Sequence, residues 1–158
     1  MSLCDQQRRE PNPRSDLSVE NLIILSRADP IICGHSTETR NLAEAACNLG
    51  VRNVHIVSYP LDVLASSGLP LKPENSVAAY SPGITVDRPA PIGDYKVLDG
   101  RLGAAISGHL INLLAKLPGK TAVMDLYLVP HGQMVMQAVE SCSRSGISSA
   151  PVTIGEAV

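Results

Sequence analysis

The sequence predicts an α/β domain of Rossmann-like type, three layers deep around a mostly parallel sheet. Short apolar runs of strand length alternate along the chain with longer segments of helical spacing. The first run, the helix after it and the second run fit within about forty residues, the size of a βαβ unit with a right-handed parallel crossover. The second run, N-V-H-I-V-S, carries apolar residues on both faces, as a sheet covered by helices requires.

Each element has its own signal. Asn21–Ser26, N-L-I-I-L-S, is the first strand. Ser36 or Thr37 can cap the following helix, with Glu38 in its first turn, Leu42, Ala45, Ala46 and Leu49 on its apolar face, and Gly50 as the stop. Residues 53–58 form the second strand, with Val54 and Ile56 on one face and His55 and Val57 on the other. Pro60 ends it and residues 61–67 suit a short helix. Residues 68–100 lose all periodicity: Pro70, Pro73, Pro82, Pro89 and Pro91 withhold backbone donors, which marks a binding loop more than filler, with short strands at 76–80 and 84–86. Helical spacing resumes over 101–117, through Leu102, Ile106, Leu110, Leu113, Leu114 and Leu117. A strand over 121–129, a helix over 131–143 and a last strand over 151–154 complete the pattern. The chain thus reads as a tail over 1–17 and one domain over 18–158, whose ending just past a strand suggests half of a larger protein.

Composition narrows the function. The 158 residues are 44% apolar but only 3% aromatic, without Trp or Phe, so stacking falls to Tyr59, Tyr80, Tyr95, Tyr127 or imidazole rings. A formal charge of -2 supplies no broad field for nucleic acid, and the basic cluster Arg8, Arg9 and Arg14 sits in the polar tail. No apolar span is long enough to cross a membrane and the first residues lack a signal-peptide core, so a cytoplasmic location without a transmembrane segment is expected. Cys4, Cys33, Cys47 and Cys142 are too dispersed for a zinc-knuckle spacing and read as free thiols. Neither a metal nor a cofactor is expected, and no serine sits in a Gly-x-Ser-x-Gly elbow.

The stretch D-P-I-I-C-G-H-S-T-E-T-R, Asp29 through Arg40, joins the first strand to the first helix, where free amides suit a phosphate or a sugar hydroxyl. Its one glycine, Gly34, meets neither the dinucleotide nor the Walker pattern, and a plain turn with a cap accounts for it equally well. Its Ser36-Thr37-Glu38-Thr39 run is somewhat similar to the phosphate loop of flavodoxins, which keeps flavin binding as a lesser alternative.

I-L-S, the glycine loop and T-E-T-R-N-L-A-E-A-A-C-N-L-G-V-R-N-V-H-I-V-S together resemble the opening of family 4 glycosyltransferases of the GT-B fold. A-V-M-D-L-Y-L-V-P-H-G-Q-M-V-M-Q-A-V and the closing V-T-I-G-E-A-V are similar to the later part of the same domain, and the middle looks like an insert of a bacterial subgroup. The resemblance implies the N-terminal, acceptor-side half of an enzyme that moves a sugar from a nucleotide-sugar donor to a hydroxyl acceptor. It also implies a missing C-terminal domain or partner chain that holds the donor, so this chain alone would not be active. Gly34 would approach the donor diphosphate, and His131, beside Gly132, would contact sugar hydroxyls. Two departures stand out: the first loop has one glycine instead of two, and Gly50 is followed by Val51-Arg52-Asn53.

Catalytic residues are not assigned. The expected binding residues are Gly34, His35, Ser36, Arg88, His131 and Gly132. His35 and His131 follow strand ends and are expected to flank an acceptor pocket, while Arg88 offers an anion contact within a mixed-charge loop that reads equally as a solvated edge. His55, inside a strand, and His109, inside a helix, suit structural roles. The rival reading is a stand-alone α/β module whose 68–100 loop recognises a small polyol, an anion or a protein.

Overall fold

The computed structural model describes residues 19–96, 99–126, 131–144 and 152–156. The strands β1 (Asn21–Ser26), β2 (Asn53–Val57), β3 (Ile84–Asp87), β4 (Thr121–Leu126) and β5 (Val152–Glu156) form one sheet in the order β3-β2-β1-β4-β5. All its pairings are parallel. The helices are α1 (Gly34–Asn48), α2 (Leu61–Ser66), α3 (Gly100–Lys116) and α4 (Gly132–Arg144). The expected Rossmann-like α/β architecture is therefore present. The expected tail, 1–17, lies outside the described residues, as do Tyr127 and the end of the strand expected to reach 129.

β1 is buried along its whole length because both its edges are paired and both its faces covered. Ile23 and Leu25 pack with Val57, Val123, Leu102, Ile106, Leu110, Val135 and Val139, which places α3 and α4 on one face. Leu22 and Ile24 pack with Val54, Ile56, Ala43 and Ala46, which places α1 on the other. At the amino edge, Asn53 Nδ2 donates to Asn21 Oδ1 at 2.7 Å and Asn21 Nδ2 donates to the Pro118 carbonyl at 2.7 Å, so the buried Asn21 amide is paired through both its oxygen and its nitrogen.

Helix α1 departs from its sequence pattern in two ways. Its N-cap is Cys33, whose Sγ accepts from the Ser36 amide at 3.4 Å, so Ser36 and Thr37 lie inside the helix and Glu38 falls beyond the first turn. Its buried residues are Ser36, Thr39, Ala43 and Ala46, while Leu49 is 87% exposed. Two hydroxyls can face inward because each has an acceptor: Ser36 Oγ donates to the Ile31 carbonyl at 2.5 Å and Thr39 Oγ1 to Ser26 Oγ at 2.7 Å. Gly50, with φ of 95°, does supply the stop.

The link from β2 to β3 is the unusual part. The chain leaves β2 through α2, whose Val63 and Leu64 pack on the α3 side. It then crosses the carboxyl edge over the β1–α1 loop: Ile31 and Leu71 form an antiparallel bridge, Ile32 N–H donates to the Pro70 carbonyl at 2.8 Å and Lys72 N–H to the Pro30 carbonyl at 2.7 Å. The return leg descends along α1. Arg40 donates to the Ala78 and Ala79 carbonyls at 2.7 and 3.3 Å, and the Ser81 amide donates to Glu44 Oε1 at 3.1 Å. An irregular segment thus occupies the place of a crossover helix, on the side a right-handed step requires. The expected strand at 76–80 is absent; a single 3-10 turn, Glu74–Ser76, precedes this leg, and β3 covers the expected 84–86.

Helices α3 and α4 meet at Gly103. A Cβ there would lie 2.7 Å from Met134 Sδ and 2.8 Å from His131 Cδ2. Gly103→Ala is expected to cost about 1–3 kcal/mol by overpacking, read as a lowered urea midpoint, whereas Gly108→Ala, with nothing within 4 Å of its Cβ, should not be overpacked.

Candidate functional site

The sheet order reverses direction between β1 and β4, and in such sheets the crevice outside the carboxyl ends at that point is the usual ligand position. Because β1 and β4 are parallel neighbours, the turns carrying Gly34 and His131 leave the same edge, as the sequence suggested. Beyond that shared edge, the expected residues have different settings.

Gly34 begins α1 and has nothing within 4 Å of a Cβ position, so the space beside it is open. His35 is half-buried next to it. Ser36 is fully buried, with its hydroxyl donating to the carbonyls of Ile31 and Cys33; it pins the loop and is turned away from the open side.

Arg88 is half-buried and its guanidinium donates to the carbonyls of Tyr59, Ala28 and Asp29. Its planar fork gathers the ends of β1 and β2 into one rim. Burial lowers its pKa, opposed by Tyr80 and Asp29, yet an arginine stays charged.

The sequence reading missed the residue at the centre of this rim, Asp29. Its side chain is only 3% exposed, and it accepts from Lys72 Nζ at 2.5 Å and from Arg40 Nε at 2.6 Å, with the Tyr80 hydroxyl at 3.4 Å. Arg40 also lies over the Tyr80 ring, 3.8 Å from its centroid. Burial pushes the Asp29 carboxyl up, but the hydrogen bonds from Lys72 and Arg40 and their charges outweigh it and hold it below the ordinary value. A carboxylate beside a proline in the loop after the first strand, with Arg40 eleven positions on and on a helix, was the available sequence signal.

His131 reaches the shared edge but is only 5% exposed. Its Nδ1 lies 3.2 Å from the Tyr59 hydroxyl, the two rings meet edge to face at 5.7 Å, and Cδ2 packs toward Gly103. Burial pulls the imidazole pKa down and pushes the Tyr59 phenol up to about 12. His131 is therefore a packed group on the α3 side, where burial disfavours its charged form, and does not mirror His35 across an open pocket. Gly132 has a steric role: a Cβ there would collide with the Asp125 carboxylate at the start of α4.

A cavity of about 440 Å³ opens beside the rim, lined by Pro30, Leu61, Leu71, Lys72, Glu74 and Val77. A second, of about 360 Å³, lies among Asp62, Val63, Ser66, Tyr95 and Lys96, where the Tyr95 hydroxyl bonds the Asp62 carboxylate at 2.9 and 3.0 Å. His55 and His109 share Asp87, at 2.9 and 3.4 Å from its Oδ2, between β2, β3 and α3. Among the described residues no group of His, Cys, Asp and Glu is arranged to hold a metal, and no helix is long and apolar enough to cross a membrane. No protein-family model matches the chain, and no curated protein or solved structure matches it either.

The Asp29 pairing predicts a specific acid response. Its depressed carboxyl binds fewer protons folded than unfolded, so its contribution is complete above the ordinary value of 3.8 and is lost as pH falls through the lower folded value. Asp29→Asn is expected to lose about 2 kcal/mol at pH 7 in urea unfolding, less than for a fully buried pair because Lys72 is part-exposed, and the gap from wild type should close in strong acid.

Proposed function

We propose that the chain is the acceptor-side half of a glycosyltransferase of the GT-B type. The full enzyme moves a sugar from a nucleotide-sugar donor to a hydroxyl, and a second domain or partner chain holds the donor. The observation that carries the reading is the open first turn of α1 at the point where the order of a parallel sheet reverses, with Gly34 leaving room for a close approach to backbone amides. A likeness of fold and of a few motifs supports it, and fold does not by itself specify chemistry.

Within this reading the roles differ from residue to residue. Gly34 and His35 stand where a sugar or diphosphate oxygen meets the first turn of α1. Ser36 and Arg88 hold the β1–α1 loop and the strand ends in place behind them. His131 and Tyr59 close the α3 side of the rim, excluding water there, and Gly132 leaves room for Asp125. Transition-state charge on the departing diphosphate falls to groups of the second half, so this chain contributes acceptor alignment.

Titration of the 158-residue protein with simple sugars and nucleotide sugars, followed by amide NMR shifts, tests the reading. Weak binding is expected, on the order of millimolar, with shifts concentrated at residues 33–37. Gly34→Leu should fold normally, since its side chain enters open space, and should weaken that binding about tenfold or more. Shifts elsewhere, or unchanged affinity in the variant, would count against it.

A further inference from the structure

The cavity beside Pro30 has two features that together define a ligand class. Its volume of about 440 Å³ falls within the ~300–1,000 Å³ typical of small-molecule sites. Pro30, Leu61, Leu71 and Val77 give it an apolar wall, and Leu61 is 44% exposed and Leu71 37%. Two large aliphatic side chains left open to water at one mouth gain by being covered.

The second feature is charge. Arg40, Lys72 and Arg88 converge on the region of Asp29, and the carboxylates paired with them are Asp29 and, at 3.9 Å from Arg40, Glu44. Three cations therefore meet two carboxylates. Arg88 bonds carbonyls, which do not cancel its charge, and no carboxylate lies within ion-pair distance of it among the described residues. Of these cations Lys72 is the one that lines the cavity: its side chain is 35% exposed, and one of its three ammonium donors is used on Asp29. The remaining two suit a ligand oxygen. Glu74 lines the same cavity from an exposed position, where solvent and salt screen its repulsion.

We propose that this cavity binds a small amphipathic anion, a molecule with an aliphatic body and a carboxylate or phosphate head. The body covers Leu61, Leu71 and Val77, and the head accepts hydrogen bonds from Lys72. Asp29 fixes the ammonium in place beforehand, which lowers the ordering cost of binding. The site does not depend on glycosyl transfer, and its occupant need not be an acceptor.

Octanoate and octyl phosphate, with octyl glucoside as the neutral control, are titrated into methyl-labelled protein. Saturable shifts at the methyls of Leu61, Leu71 and Val77 are expected for at least one anion, with the glucoside at least about tenfold weaker. The anion that saturates first identifies the head group. Lys72→Met and Leu61→Glu should each weaken anion binding about tenfold or more, and Lys72→Arg should retain most of it. Leu61 is exposed and makes no ion pair or side-chain hydrogen bond with Asp29, so Leu61→Glu remains a valid test if Lys72→Met does not fold. No saturable shift for either anion, equal affinity for the glucoside, or a Leu61→Glu variant that binds unchanged would overturn the site.

Discussion

The pairing of Asp29 with Arg40 and Lys72 is the interaction on which the carboxyl rim depends. A single carboxylate taken out of water is costly, and here it is offset by two charged donors and a phenol. The three partners come from different parts of the chain: Arg40 from α1, Lys72 from the strap over the β1–α1 loop, Tyr80 from the return leg. One buried charge therefore ties a helix to an irregular segment that has no ladder of its own. Arg40 repeats the tie with two carbonyl bonds and a stacking contact on Tyr80.

That tie shapes what the rim offers. Arg88 draws the ends of β1 and β2 together from beneath, and Ser36 and Cys33 fix the turn into α1. The α1 side is left open at Gly34 and His35, while the α3 side is closed by Tyr59 and His131 packed near Gly103. The asymmetry arises because His131 follows β4 into the layer that α3 fills. A ligand at this edge would meet the α1 side and the cavity wall first, and the His131 imidazole only if the packed side opens.

Much of the fold was legible because strand signals are local. N-L-I-I-L-S and N-V-H-I-V-S are dense in apolar residues and bounded by turn chemistry, and both strands lie within those runs. The buried face of α1 was legible only in part: Leu42 and Ala46 pack inward as expected, but burial of Ser36 and Thr39 depends on acceptors that only the folded β1 and its loop supply. Residues 68–83 gave no periodic signal because their order is tertiary, set by Arg40, Glu44 and the β1–α1 loop. For the site, Gly34 and His131 were placed at the correct edge by topology. Arg88 read equally as an anion contact or a solvated edge because a sequence cannot show that three carbonyls converge on it, and Asp29 passed unnoticed because two of its three partners, Lys72 and Tyr80, lie 43 and 51 positions along the chain.

Amide hydrogen exchange on wild type and Asp29→Asn under native conditions tests the central claim most directly, because it reads local opening segment by segment. A hub at Asp29 predicts faster exchange confined to the amides of Ile32, Lys72 and Ser81, which the strap and return leg protect, with β1 and β4 retaining their protection. Uniform acceleration across the sheet, or unchanged protection of the strap, would contradict it.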